Sequence, residues 1–223
     1  MLNSFGHWLL VIDMQQRAWA HLRLTDRIRP NLDVLFVGIN PGVQSALTGH
    51  HFAGFSNRFW KLLYESGLAP EPVTAKDDVR LPQWGYGVTN LVARPSPGID
   101  DLKPAEYLEG WGALRRKIRR YRPRIVAFVG VTLYRVLLPV LITEPDARAC
   151  LAEASARRRT AMRICIPGLQ PFRIEGAALF VLPNPSGRNA NFTYAEMLDA
   201  FRRLRREVVK RRSSAVASRR AAP

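Results

Sequence analysis

Four short apolar runs constrain this chain more than anything else in it. Residues 34–37 read Val-Leu-Phe-Val and stop at Gly38. Residues 125–129 read Ile-Val-Ala-Phe-Val and stop at Gly130, and 178–182 read Ala-Leu-Phe-Val-Leu and stop at Pro183. Residues 88–92, Val-Thr-Asn-Leu-Val, are the fourth candidate. Runs this short, with little polar alternation, suit strands buried on both faces of a parallel sheet. Between them the apolar spacing turns helical. The stretch 57–66 carries Phe59, Trp60, Leu62 and Leu63 and closes at Gly67, suited to a left-handed cap. From Pro104, a good first-turn residue, Tyr107, Leu108, Trp111, Leu114, Ile118 and Tyr121 recur at helical intervals. Thr193 and Glu196 have capping-box spacing ahead of Met197, Leu198, Phe201, Leu204 and Val208. Strands alternating with helices predict a three-layer α/β/α fold around a central, largely parallel sheet of four or five strands.

The chain has 223 residues, 47% of them hydrophobic, which suffices for one core. The expected organisation is a helical N-terminal extension over 1–30, one domain over 31–210, and a basic, disordered tail over 211–223. Residues 143–170 mix charged, small and turn-forming types and predict a long loop or insertion. The longest apolar stretch, 125–142, is interrupted by Gly130, Arg135 and Pro139 and predicts strand, turn and helix rather than a membrane span. The apolar run 8–12 has no basic residue before it and ends at Asp13, so no signal peptide is predicted. Cys150 and Cys165 are too few for a four-cysteine zinc or iron–sulfur site, match no ligand spacing, and read as packing residues. No disulfide framework is expected, which fits a reducing cytosol, and a cytoplasmic, nucleoid-associated location is the expectation.

The formal net charge of +16 predicts attraction to a polyanion, with nucleic acid as the first candidate. An anionic membrane surface or simple solubility are the alternatives. The run Arg115, Arg116, Lys117, Arg119, Arg120, Arg122 and Arg124 covers the outside of a helix and reads as a solvated face that adds nonspecific affinity. Ligands of open α/β sheets bind at the carboxyl ends of the strands. There the chain places Gly38-Ile39-Asn40-Pro41-Gly42, then Asn90, then Pro183-Asn184-Pro185-Ser186-Gly187-Arg188-Asn189. Glycine and proline alone make only tight turns, but two such loops at one sheet edge favour a binding site. No carboxylate cluster for metal ions and no phosphate-binding lysine motif accompany them, which argues against a nucleotide or phosphate-ester enzyme.

Five segments in register, Gly38-Ile39-Asn40-Pro41-Gly42, Gly49-His50-His51-Phe52, Asn57-Arg58-Phe59-Trp60-Lys61, Gly87-Val88-Thr89-Asn90-Leu91-Val92-Ala93-Arg94 and Asn184-Pro185-Ser186-Gly187, resemble the mismatch-specific uracil-DNA and thymine-DNA glycosylase family over about 33–205. The resemblance implies the uracil-DNA glycosylase-like fold and a monofunctional enzyme of base excision repair. Such an enzyme flips uracil out of DNA and hydrolyses its glycosidic bond without a cofactor. The implied partner is double-stranded DNA containing uracil, with single-stranded DNA as a further candidate; no membrane is involved and a monomer is expected. Asn40 is then the catalytic residue that positions water. Its amide is no general base at neutral pH, so catalysis rests on stabilising the departing base and the sugar cation, and the enzyme should be slower than relatives with Asp there. Phe52 stacks on the extruded base, Ile39 and Phe52 offer backbone groups to its edge, Asn90 reads that edge, and His51 lies near water and phosphate. Gly42, which ends the catalytic loop, and Ser45, near it at a position where the family varies and mismatch selectivity is tuned, are implied DNA contacts. Asn184, Ser186 and Gly187 hold phosphates, and Arg188 stands where the family carries its wedge. No lysine occupies a Schiff-base position, so strand cleavage is not expected. A DNA-binding module of the same fold without turnover is the competing expectation.

Overall fold

The structure, a computed structural model, describes residues 19–156 and 167–220. Strands β1 (Val34–Gly38), β2 (Tyr86–Asn90), β3 (Ile125–Val129), β4 (Gly168–Ile174) and β5 (Ala177–Leu182) form one sheet in the order β2-β1-β3-β5-β4. All neighbours run parallel except β4 and β5, which are antiparallel. The helices are α1 (Val43–Thr48), α2 (Phe59–Glu65), α3 (Pro104–Tyr121), α4 (Val131–Leu141), α5 (Pro145–Ala156) and α6 (Tyr194–Arg220).

Side chains of a strand alternate between faces, and both faces here are covered. Val34 and Phe36 of β1 join Phe59, Leu62 and Leu63 of α2 and Met197, Phe201 and Leu204 of α6 on one side. Leu35 and Val37 join Trp111, Leu114 and Ile118 of α3 and Leu133, Tyr134 and Leu137 of α4 on the other. This is the three-layer arrangement that the uninterrupted apolar runs require.

Several elements depart from the sequence expectation. The second strand lies two residues earlier than 88–92, because Gly85, at φ 87°, ends a 3₁₀ helix (Ala75–Trp84) and releases the chain at Tyr86. Within the predicted loop 143–170, the described residues include two regular elements. Residues 145–156 form α5, and 168–174 form an edge strand turned by Glu175 and Gly176, both at positive φ, as a tight hairpin needs. The last helix continues to Arg220, so the disordered tail expected from 211 is helical through that residue. Arg212 donates to Asp33 (2.8 Å) and to the Trp84 carbonyl (3.0 Å), and Arg124 donates to the Arg211 carbonyl (3.1 Å), which tie this end to the sheet. Residues 1–18, within the predicted helical extension, and Cys165 lie outside the described residues. Cys150 packs against the second core face. Residues 25–30 belong to the domain: Arg27 and Val88 exchange backbone hydrogen bonds at 2.9 and 3.0 Å. Among the described residues no helix is long and apolar enough to cross a membrane.

Gly110, in the middle of α3, shows how closely the helix lies on the segment after β2. A Cβ there would stand 2.4 Å from the Leu91 carbonyl oxygen. Gly→Ala inside a helix normally stabilises by up to about 1 kcal/mol. Gly110→Ala is expected to destabilise instead, by roughly 1–3 kcal/mol as overpacking does, measured by urea denaturation.

Candidate active site

The carboxyl ends of β1, β2, β3 and β5 border a cleft of about 730 Å³. Gly38, Ile39, Asn40, Pro41, Gly42, Ser45, Phe52, Asn90, Asn184, Ser186 and Arg188 all line it, so most of the residues singled out in the sequence converge. A larger groove of about 1050 Å³ opens at the opposite sheet edge among Arg122, Arg173 and Lys210. It offers cationic charge but no asparagine amide, so the smaller cleft is the candidate site.

Its floor follows from strand register. Gly38 pairs with Asn90, which sets the Asn90 side chain beside the Gly38 backbone. A Cβ on Gly38 would lie 2.5 Å from Asn90 Oδ1 and 3.4 Å from the Phe52 ring. Phe52 itself stacks on Phe59 at 4.1 Å between centroids, and Phe59 packs edge-on against Phe36 at 5.2 Å. The aromatic wall of the cleft is therefore continuous with the core. Within the described residues the Asn90 amide has no hydrogen-bond partner and is available to a ligand.

Asn40 is oriented by its neighbours. Its Nδ2 donates to Ser96 Oγ (2.8 Å), the Pro41 carbonyl (3.1 Å) and the Arg94 carbonyl (3.3 Å). The two carbonyls can only accept, and Ser96 spends its own proton on the Gly98 carbonyl. The amide nitrogen must face these groups, which leaves Oδ1 as the free end. The segment 94–98 is braced in turn by Arg94, which donates to both Glu106 oxygens at 2.8 and 2.9 Å. The Arg94 guanidinium, with the Lys103 backbone N–H, pulls Glu106 down to about 2. Ser96 was not apparent in the sequence; its spacing of 56 residues from Asn40 carries no local signal.

His51 does not line the cleft. It is 1% exposed, its Nε2 lies 3.1 Å from the Thr25 carbonyl, and its backbone N–H donates to Asp78 (3.0 Å). A carbonyl can only accept, so Nε2 carries the proton, and burial lowers the pKa of the ring below its usual 6.5. The structure places it behind Phe52 as a support. Ser45 lines the cleft, but its Oγ accepts from Ala53 N–H (3.0 Å) and so also steadies the Phe52 loop. Ile39 uses its carbonyl on Val92 N–H (2.8 Å) and packs partly into the core.

The loop after β5 is held by its own side chains. Asn184 Oδ1 accepts from Ser186 N–H (3.1 Å), and Ser186 Oγ accepts from Arg188 N–H (3.3 Å). Gly187 lies so close to Ser56 that a Cβ would approach it to 2.5 Å, and Arg58 N–H donates to the Pro185 carbonyl (2.9 Å). The loops 52–58 and 183–188 are thus joined, with Arg188 exposed and its guanidinium free of ion pairs among the described residues. No group of three or more His, Cys, Asp or Glu among those residues could hold a metal ion.

The profile of the Uracil DNA glycosylase superfamily matches residues 25–206. The chain belongs to this superfamily. It is also 33% identical over 190 residues to the G/U mismatch-specific uracil DNA glycosylase of Schizosaccharomyces pombe (strain 972 / ATCC 24843), an alignment covering 84% of this chain. The chain spans about half, 54%, of that relative's length. The superfamily match begins at 25, consistent with the packing of Arg27 onto β2.

The buried His51 has a pH consequence. The unfolded chain binds a proton near the ordinary 6.5, whereas the folded ring binds one only at lower pH. Stability is therefore full above that range and falls as pH drops below about 6.5. His51→Gln is expected to flatten this part of the profile, read as urea midpoints between pH 7.5 and pH 5; an unchanged slope would show that His51 does not supply it.

Proposed function

We propose that the protein is a monofunctional uracil-DNA glycosylase that takes uracil out of the duplex and hydrolyses its glycosidic bond, leaving an abasic site. The observation that carries this reading is the convergence of the Asn40 oxygen, the Phe52 ring and the unpartnered Asn90 amide at one cleft. Asn90 has both a donor and an acceptor, which matches a uracil edge. Phe52 supplies a flat apolar surface for the base. Asn40 Oδ1 can accept from a water and hold it for attack on the anomeric carbon as the base departs.

Removing a base from the stack costs a few kcal/mol, and something must fill the gap. Arg188, exposed at the rim with a planar guanidinium, suits that role. The backbone of 184–187 suits phosphates, and uracil-containing double-stranded DNA is the partner to test first. The S. pombe relative's name refers to G/U mismatches, which makes U·G the first pair to try.

The experiment is base release from otherwise identical oligonucleotides carrying U·G, U·A, T·G or single-stranded U. Release from U·G supports the reading; no release from any of the four would leave a DNA-binding module without turnover. Asn40→Ala is expected to abolish release, by about a hundredfold or more as loss of an essential positioning group does, with DNA affinity nearly unchanged by electrophoretic shift. Asn40→Asp is expected to lose activity as well. A carboxylate would face the Pro41 and Arg94 carbonyl oxygens where the amide now donates. A gain in single-turnover rate for that variant would sink the orientation argument.

A further inference from the structure

Phe55 is the most exposed large apolar side chain among the described residues, with a relative exposure of 107%. Other exposed apolar residues, such as Val79 and Leu108, do not line the cleft, and single exposed apolar side chains are ordinary. Phe55 differs because it borders the cleft. The loop under it is braced on every side: Ala53 N–H to Ser45 Oγ (3.0 Å), Asn57 N–H to the Gly54 carbonyl (2.9 Å), and Ser56 against Gly187. A rigid loop thus presents a bare aromatic ring to solvent at the mouth of a site whose facing loop presents Arg188.

The surroundings select its occupant. A flat apolar group suits the ring, and the net charge of +16 favours a ligand that carries anionic groups with it. A nucleobase in a DNA strand has both properties, because every base has a π-face and every nucleotide a phosphate. Phe52 already serves the cleft floor, and three residues of chain span at most about 11 Å. Phe55 is therefore within a few nucleotides of the base at Phe52, stacked neighbours on a strand being about 3.4 Å apart.

We propose that Phe55 is a second stacking site, which takes a base flanking the extruded nucleotide, so that the DNA is gripped at two bases. This rests on the reading that the cleft takes uracil from DNA. The test uses the full chain and a duplex with 2-aminopurine beside 2′-fluoro-deoxyuridine opposite guanine, the fluorine slowing hydrolysis. Binding and 2-aminopurine fluorescence are read for wild type, Phe55→Ala, Phe55→Leu and Phe55→Trp, and uracil release is measured in parallel on an ordinary U·G duplex.

Phe55→Ala should bind about tenfold more weakly, the scale of one base–aromatic stack, and lose the fluorescence change. Phe55→Trp should stay within about threefold of wild type by the same scale. Phe55→Leu should lose the fluorescence change even where it retains some affinity. The proposal is overturned if Phe55→Ala matches wild type in both readouts, as it would if the ring served a protein partner. It is also overturned if Phe55→Leu reproduces wild type in full. The uracil reading fails separately: wild type would release no base, whatever the binding data show.

Discussion

The pairing of Gly38 with Asn90 is the constraint on which the cleft depends. Two parallel strands end in register, one on a residue without a side chain and the other on an amide. The space a Cβ would take at Gly38 is the space that lets Asn90 and Phe52 approach the same point. Parallel strands place their carboxyl ends at one edge, so the loop after β5 arrives there too. The binding surface is thus a consequence of sheet direction plus one glycine, and the helices need only cover the two faces.

A buried carboxylate keeps the aromatic wall in place. Asp78 is fully buried, a costly position for a charge unless donors surround it. It receives His51 N–H at 3.0 Å and Arg27 at 3.2 Å, with His50 Nδ1 at 3.1 Å. These partners hold the segment leading to Phe52, whose own φ of 53° is unfavourable for a residue with a side chain. The same carboxylate ties residue 27, ahead of the first strand, to the site. Losing any one of these contacts would remove part of the compensation for a buried carboxylate, so the three depend on one another.

Much of this was legible because the sheet is parallel and buried. Continuous runs such as 125–129 announce such strands, and knowing where they end placed Asn40, Asn90 and 184–188 at one edge. What was not legible depends on distant partners or on weak local patterns. Strand β4, 168–174, carries Gln170, Pro171 and Arg173 and so makes no continuous apolar run, yet an edge strand tolerates proline. Helix α5 has little amphipathic pattern and buries Ala147 most deeply among its described side chains, so periodicity could not reveal it. The end of α6 is fixed by Asp33, 179 residues away. His51 was assigned to the cleft by resemblance, and only packing shows that its ring turns toward Thr25. The full exposure of Phe55 is a property of the folded loop, since a phenylalanine in a sequence reads as core.

Asn40 shows why an amide suits this frame. A group that holds water must keep an acceptor turned toward the cleft, and an amide can do so only if its nitrogen is occupied elsewhere. Here the nitrogen faces three acceptors, two of which are backbone carbonyls and cannot reverse their role. Flipping the amide would set oxygen against oxygen and strand the nitrogen, so the orientation is enforced by the chain path as well as by Ser96. A carboxylate could attract the water's proton more strongly, but it would have no donor to give these carbonyls. The loop that orients asparagine therefore works against aspartate at this position. On the proposed reading, that ties the choice of a neutral water-holding group to the backbone course of 94–98, a segment that follows β2 in the chain and lies against the residue it controls.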